Sequence, residues 1–214
     1  MRGASLSLPA GSLTVISGAS GAGKSTLVSL LGGLDSRYGG AILADGVELR
    51  ELRLSDWRRR LAYISQDNYL FAGSVRENIA IGRPEALTEE ITAAAKLAGA
   101  DGFVSALPGG YDAAIGDKGL KLSGGQRQRL VLARAILREP DLYIFDEATN
   151  ALDAQAEAGL RAVIVALARE RGRTVLVVTH DRTWLDDADA AYALEDGTLK
   201  PAGRRVAAEG GSRS

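Results

Sequence analysis

Gly18-Ala19-Ser20-Gly21-Ala22-Gly23-Lys24-Ser25 decides the reading of this chain. The octapeptide fits the pattern G-x-x-x-x-G-K-[ST], and it stands between an apolar run, Leu13–Ser17, and a helix-like stretch. In a chain of average composition and this length the pattern arises by chance about once in a hundred cases, and the strand-before, helix-after context lowers that further. Its glycines let successive backbone N–H groups curl around a phosphate without Cβ clashes. The helix that follows turns its positive end toward the same anion. Lys24 supplies a mobile charge for terminal phosphates, and the Ser25 hydroxyl suits Mg²⁺. The candidate nucleotide-binding residues here are Gly18, Ala19, Ser20, Gly21, Ala22, Gly23, Lys24, Ser25 and Thr26.

Outward from the loop, short β-branched or apolar runs predict strands at Leu13–Ser17, Leu61–Ser65, Leu142–Phe145 and Thr174–Thr179. Helical periodicity predicts helices at Glu89–Ala98, Gly124–Leu137 and Ala154–Arg171. Buried runs such as Val175-Leu176-Val177-Val178, alternating with helices, read as a parallel sheet covered on both faces. Asp45-Gly46 and Asp196-Gly197 lie between extended segments and predict hairpins. The fold class is α/β, with a mostly parallel sheet core and peripheral antiparallel strands. Residues 66–121 show helical patterns and loops and no clear strand, which predicts a helical subdomain inserted in the core, over about 66–140. One domain over 1–202 is expected, followed by a flexible Arg-, Gly- and Ser-rich tail over 203–214.

A phosphate loop needs a carboxylate near Ser25 to complete a Mg²⁺ shell. Leu142-Tyr143-Ile144-Phe145-Asp146-Glu147 is an apolar strand that ends in two acids, and the carboxyl end of a parallel strand faces the ligand crevice. Asp146 is then the Mg²⁺-side carboxylate, directly or through water. Glu147, one residue further out, is placed to polarise a water for attack on the γ-phosphate.

Composition excludes several classes. Lys and Arg number 26 against 27 Asp and Glu, so no global field recruits nucleic acid, and no nucleic-acid partner is expected. Arg58-Arg59-Arg60 reads as a solvated helix face. With no cysteine and a single histidine, His180, disulfides and zinc clusters are ruled out or improbable on composition. No apolar run approaches the ~18 residues that a membrane span requires.

Leu122-Ser123-Gly124-Gly125-Gln126, running on as Arg127-Gln128-Arg129, resembles the signature of ATP-binding cassette (ABC) ATPases. Other pieces follow in the family's order: Gln66 at its Q-loop, Asp146-Glu147 at its Walker B end, Asn150-Ala151-Leu152-Asp153 at its D-loop, and His180 as its switch histidine. The resemblance covers nearly the whole chain and implies the two-lobed cassette form of the P-loop NTPase fold. It implies ATP and Mg²⁺ as ligands. Ser123, Gly124, Gly125 and Gln126 would cap ATP held by a second cassette, in a head-to-tail dimer with two shared sites. Gln66 would touch the Mg²⁺ or the attacking water, and His180 the γ-phosphate, which makes Glu147, His180 and Gln66 the catalytic set and Ser25, Gln66 and Asp146 the metal set. Asp153 would act across the dimer interface.

Tyr111–Gly119 and Gln66–Phe71 with Ser74–Ile79 look like the exporter form of the family. The implied protein is a transporter motor at the cytoplasmic face of a membrane, partnered by a transmembrane permease on the same or another polypeptide. A non-hydrolysing nucleotide-binding module and an importer ATPase stand as alternatives. Only 98 residues separate Lys24 from Leu122, too few for the coiled-coil insert of the SMC-like relatives. Two positions depart from the family. Seventeen residues precede Gly18 and none is aromatic, so the adenine-stacking ring and the first strand of the antiparallel layer are expected upstream of Met1 in a longer polypeptide. Asn150 stands where many members carry Ser.

Overall fold

The computed structural model describes residues 1, 3–67, 69–115, 122–150 and 152–202. The expected tail over 203–214, the stretch 116–121 at the end of the exporter-like segment, Asn68 and Ala151 lie outside the described residues.

Six strands form the main sheet in the order β4-β5-β6-β1-β7-β8. They are β1 (Leu13–Ser17), β4 (Leu61–Ser65), β5 (Leu142–Asp146), β6 (Thr174–Thr179), β7 (Ala190–Glu195) and β8 (Thr198–Pro201). Four neighbouring pairs are parallel, and only β7–β8 is antiparallel. β2 (Leu43–Ala44) and β3 (Val47–Glu48) form a separate antiparallel ladder. Both hairpins turn at the Asp-Gly pairs. Asp45 and Gly46 have φ of 52° and 83°, and Asp196 and Gly197 have 46° and 76°. Two successive positive φ values define the turn whose twist matches paired strands.

The alternation of side chains along each strand separates two cores. Val15, Tyr143, Phe145, Val175 and Val177 face one side, where they meet α6 (Gly124–Leu137) and α7 (Ala154–Arg169). Ile16, Ile144, Leu176 and Val178 face the other, against Leu27 and Val28 of α1 (Lys24–Leu31) and Trp57 of α2 (Leu54–Arg59). Strands buried on both faces explain the unbroken apolar runs in the sequence. α7 is alanine-rich, starts on Asp153, whose side chain accepts from the Ala156 N–H at 2.8 Å, and buries Leu160, Ile164, Leu167 and Ala168 along one stripe.

Between β4 and α6 the described chain is helical: α3 (Val75–Ala80), α4 (Thr88–Leu97) and α5 (Asp101–Ala106), with a lone Ser74–Ala114 bridge as its only strand-like pairing among the described residues. α3 and α4 pack on α6. Arg134 of α6 is mostly buried, and it donates to the carbonyls of Asn78 at 2.8 Å and Tyr69 at 3.1 Å. The same helix therefore serves both the sheet and the helical segment.

Register decides where the functional segments emerge. Ser17 pairs with Thr179, Asp146 with Val178, and Ser65 with Asp146. Four adjacent parallel strands thus end along one edge. Gln66, Glu147, His180 and Gly18 each stand one residue beyond those ends.

Candidate nucleotide-binding site

The glycine-rich loop leaves β1 by a hydrogen bond from the Gly18 N–H to the Thr179 carbonyl, 3.2 Å. A Cβ on Gly18 would sit 2.6 Å from the Leu194 carbonyl oxygen, a backbone atom that cannot swing away. That close approach is why position 18 takes glycine. The loop closes into α1 through Gly23 at φ 106°, and no side chain caps that helix. Its first N–H groups therefore remain available to an anion.

Lys24 is buried and stretches back over its own loop. Its Nζ donates to the carbonyls of Gly18 at 2.6 Å and Ala19 at 3.1 Å, and pairs with Oε1 of Glu147 at 3.1 Å. Oε2 of Glu147 accepts from Nδ2 of Asn150 at 2.7 Å and lies 2.8 Å from Nδ1 of His180. Burial pushes the Glu147 carboxyl up, but the hydrogen bonds from Lys24, Asn150 and His180 outweigh it and hold the group below its ordinary range. Glu147 is thus ionised near neutral pH. It stands at φ 52°, an uncommon region for a side-chain-bearing residue, with its N–H bonded to the Val178 carbonyl at 2.8 Å. That turn swings the chain off β5 and aims the carboxylate at the loop.

Asp146 closes β5 half-buried. Its Oδ2 accepts from the Tyr63 hydroxyl at 3.1 Å, and burial raises its pKa more than that bond lowers it. The Tyr63 phenol is pushed up to about 12, first by burial and then by the Asp146 charge. A partly desolvated carboxylate gains by meeting a cation. Gln66 follows Ser65, the residue paired with Asp146, so residue 66 leaves β4 beside the end of β5. Ser25, Gln66 and Asp146 are all hard oxygen donors, the type that Mg²⁺ takes in small number alongside substrate oxygens. No cluster of three or more His, Cys, Asp or Glu able to hold a metal occurs among the described residues.

A cleft of about 570 Å³ opens over the loop. Ser17–Ala22 form one wall, His180 and Arg182 a second, and Ala193–Asp196 a third. None of these is Phe, Tyr or Trp. None of Ser123–Gln126 lines it either: that segment starts α6, where Ser123 and Gln126 cap each other, the Gln126 N–H to Ser123 Oγ at 3.2 Å and the Ser123 N–H to Gln126 Oε1 at 3.0 Å. The structure brings the phosphate loop, Glu147 and His180 together within one chain, while the second glycine-rich segment is not among the residues that line the cleft. Tyr63, Asn150, Arg182, Glu195 and Asp196 were not in the sequence-derived set. Tyr63 is the polar-tipped outlier of an apolar strand, Asp196 belongs to a turn pair, and Asn150 opens the D-loop-like stretch; nothing local marks Arg182 or Glu195.

A mostly parallel sheet carrying a glycine-rich loop, a lysine and a carboxylate pair at one edge defines a P-loop nucleoside-triphosphatase fold. The chain belongs to the ABC transporter family, whose model matches residues 1–150 and whose ATP-binding domains hydrolyse ATP to drive transport. It is 39% identical over 208 residues to the uncharacterized ABC transporter ATP-binding protein y4gM of Sinorhizobium fredii, covering 96% of this chain and 35% of the relative. It is 41% identical over 203 residues to the ATP-dependent lipid A-core flippase of Chromohalobacter salexigens, covering 95% and 35%. The solved structure of a bacterial Atm1-family ABC exporter with ATP bound superposes with a TM-score of 0.87 at 38% identity, over 95% of this chain and 35% of that one. The chain spans about a third of the length of these relatives. No helix among the described residues is long and apolar enough to cross a membrane.

Proposed function

We propose that this chain is the ATP-hydrolysing motor domain of an exporter-type ABC transporter, acting as a head-to-tail dimer with a second cassette. The observation that carries the reading is the meeting of Lys24, Glu147 and His180 at the rim of the phosphate loop, where four parallel strands end. Gly18 to Thr26 cradle the triphosphate with backbone N–H groups and the α1 N-terminus. Lys24 leaves the Gly18 and Ala19 carbonyls for the β- and γ-phosphates, which frees Oε1 of Glu147 to accept a proton from the attacking water. His180, largely solvent-exposed, turns to the γ-phosphate. Ser25, Asp146 and Gln66 would hold Mg²⁺, which would supply positive charge to offset that of the phosphates. Ser123, Gly124, Gly125 and Gln126 of one cassette complete the site of the other, in keeping with a cleft in their own chain that they do not line. One domain over 1–202, with its helical part over about 66–140, works at the cytoplasmic face of a membrane with a transmembrane permease. Exporter over importer is favoured by the names of the similar proteins, a flippase and an Atm1-family exporter.

The test is MgATP turnover across protein concentration, with Glu147→Gln alongside. Turnover per chain should rise with concentration, and the variant should lose about 10²–10⁴-fold while still binding ATP. Binding without turnover in either protein would favour the non-hydrolysing alternative.

A further inference from the structure

We propose that Asn150 is a positioning residue for Glu147: its amide holds Oε2 of that carboxylate so that Oε1 faces the attacking water once nucleotide has drawn Lys24 away. This rests on the hydrolytic reading above. The Glu147 carboxylate has three side-chain partners, and they divide in kind. Lys24 contacts Oε1 and His180 contacts Oε2, and these are the two groups that the reading above sends to the γ-phosphate. Asn150 Nδ2, at 2.7 Å from Oε2, has no phosphate to go to. When the other two depart, it is the contact that stays.

The backbone builds this contact in. The Asn150 N–H donates to the Glu147 carbonyl at 3.1 Å, which closes a turn over Glu147–Asn150. The Glu147 N–H is tied to Val178 at 2.8 Å, and the positive φ of Glu147 bends the chain between these two bonds. Residue 150 is therefore brought back beside the carboxylate it holds. Nδ2 lies two bonds beyond Cβ, whereas a serine hydroxyl at that place lies one bond beyond it and falls short. An amide nitrogen is also donor-only, so it fixes the oxygen it meets and cannot take the water's proton in place of Glu147. A carboxylate free to rotate by even an ångström loses the alignment that in-line attack needs.

The experiment measures ATP turnover and ATP affinity of the full chain carrying Asn150→Ala, Asn150→Ser or Asn150→Gln, each also in a Glu147→Gln background. Asn150→Ala should lower turnover about 10–100-fold with ATP affinity within about twofold of native. Asn150→Gln, which keeps an amide N–H, should recover more turnover than Asn150→Ser. In the Glu147→Gln background Asn150→Ala should add no further loss, because the residue it serves is gone. Native turnover in Asn150→Ala, an equal fold-loss in both backgrounds, or rescue by Ser and not Gln would each overturn the proposal and leave the hydrolytic reading intact; rescue by Ser would mark a turn-forming role instead. Identical turnover in the native chain and Glu147→Gln would overturn the hydrolytic reading and this proposal with it.

Discussion

Two glycine-rich segments each open a helix in this molecule, and they treat its N-terminus in opposite ways. At α1, Gly23 is the N-cap, no side chain caps the first turn, and no acid stands in it. At α6, Ser123 and Gln126 form a reciprocal capping box that satisfies two backbone N–H groups internally. The first helix start leaves its N–H groups without a side-chain acceptor; the second has two N–H groups satisfied within its own first turn. Their glycines also answer to different neighbours. Gly18 is pressed on a backbone carbonyl at 2.6 Å, whereas a Cβ on Gly125 would reach the Cβ of Ala156 at 3.0 Å, beside the start of α7. One loop is wedged against the sheet by its own fold. The other meets side-chain carbons of Leu152 and Ala156 rather than backbone.

The comparison can be broken most forcefully at Gly18. Gly18→Ala drives a methyl onto the Leu194 carbonyl, an overpacking cost of about 1–3 kcal/mol placed inside the phosphate cradle. Its expected outcome is ATP binding lost at concentrations that saturate the native chain, together with a lower melting temperature, read by nucleotide titration and calorimetry. Ser123→Ala should act on stability and turnover without touching the first site. Loss of the cap costs about 1 kcal/mol, a fall in melting temperature of about 2–4 °C for a domain of this size. ATP affinity of the single chain should stay at the native value, and a parallel loss of affinity would show that the two helix starts are not independent. Gly125→Ala sharpens the contrast from below. Its Cβ needs only a few tenths of an ångström from Ala156, and alanine favours the helix by up to ~1 kcal/mol over glycine, so the stability change should lie within about 0.5 kcal/mol of zero. A destabilisation as large as that of Gly18→Ala would mean that α7 cannot yield.

Legibility followed range. Strands β1, β4 and β6 occupy Leu13–Ser17, Leu61–Ser65 and Thr174–Thr179, the same residues that the apolar runs predict, because burial on both faces writes itself into consecutive residues. β5 runs one residue further than predicted, to Asp146, where the ladder to Val178 continues past the apolar stretch. α7 stops at Arg169, two residues early, since Gly172 already turns the chain at φ 60°. The short helices α2, α3 and α5 have six residues each, too few for a periodicity to declare itself. At the site, the loop and the acidic strand end are local patterns. The Tyr63–Asp146 bond spans 83 residues and the His180–Glu147 contact 33, so neither leaves a local mark. Asn150 lies only three residues from Glu147, yet their contact depends on a positive φ at a non-glycine residue, which no residue type announces.

What the sequence determined by itself was the inventory: a phosphate loop with its lysine, a strand that ends in two acids, a second glycine-rich helix start, and a lone histidine, each carried by short-range constraints of backbone freedom, hydrophobic period or charge. Tertiary structure decided the relations among them. Parallel register aligned four strand ends on one edge, a close backbone contact made Gly18 obligatory, and a left-handed turn brought Asn150 back onto Glu147. These are distances between parts of the chain that only packing brings together. A residue type can specify what it is able to bond, but its partner is chosen by the fold.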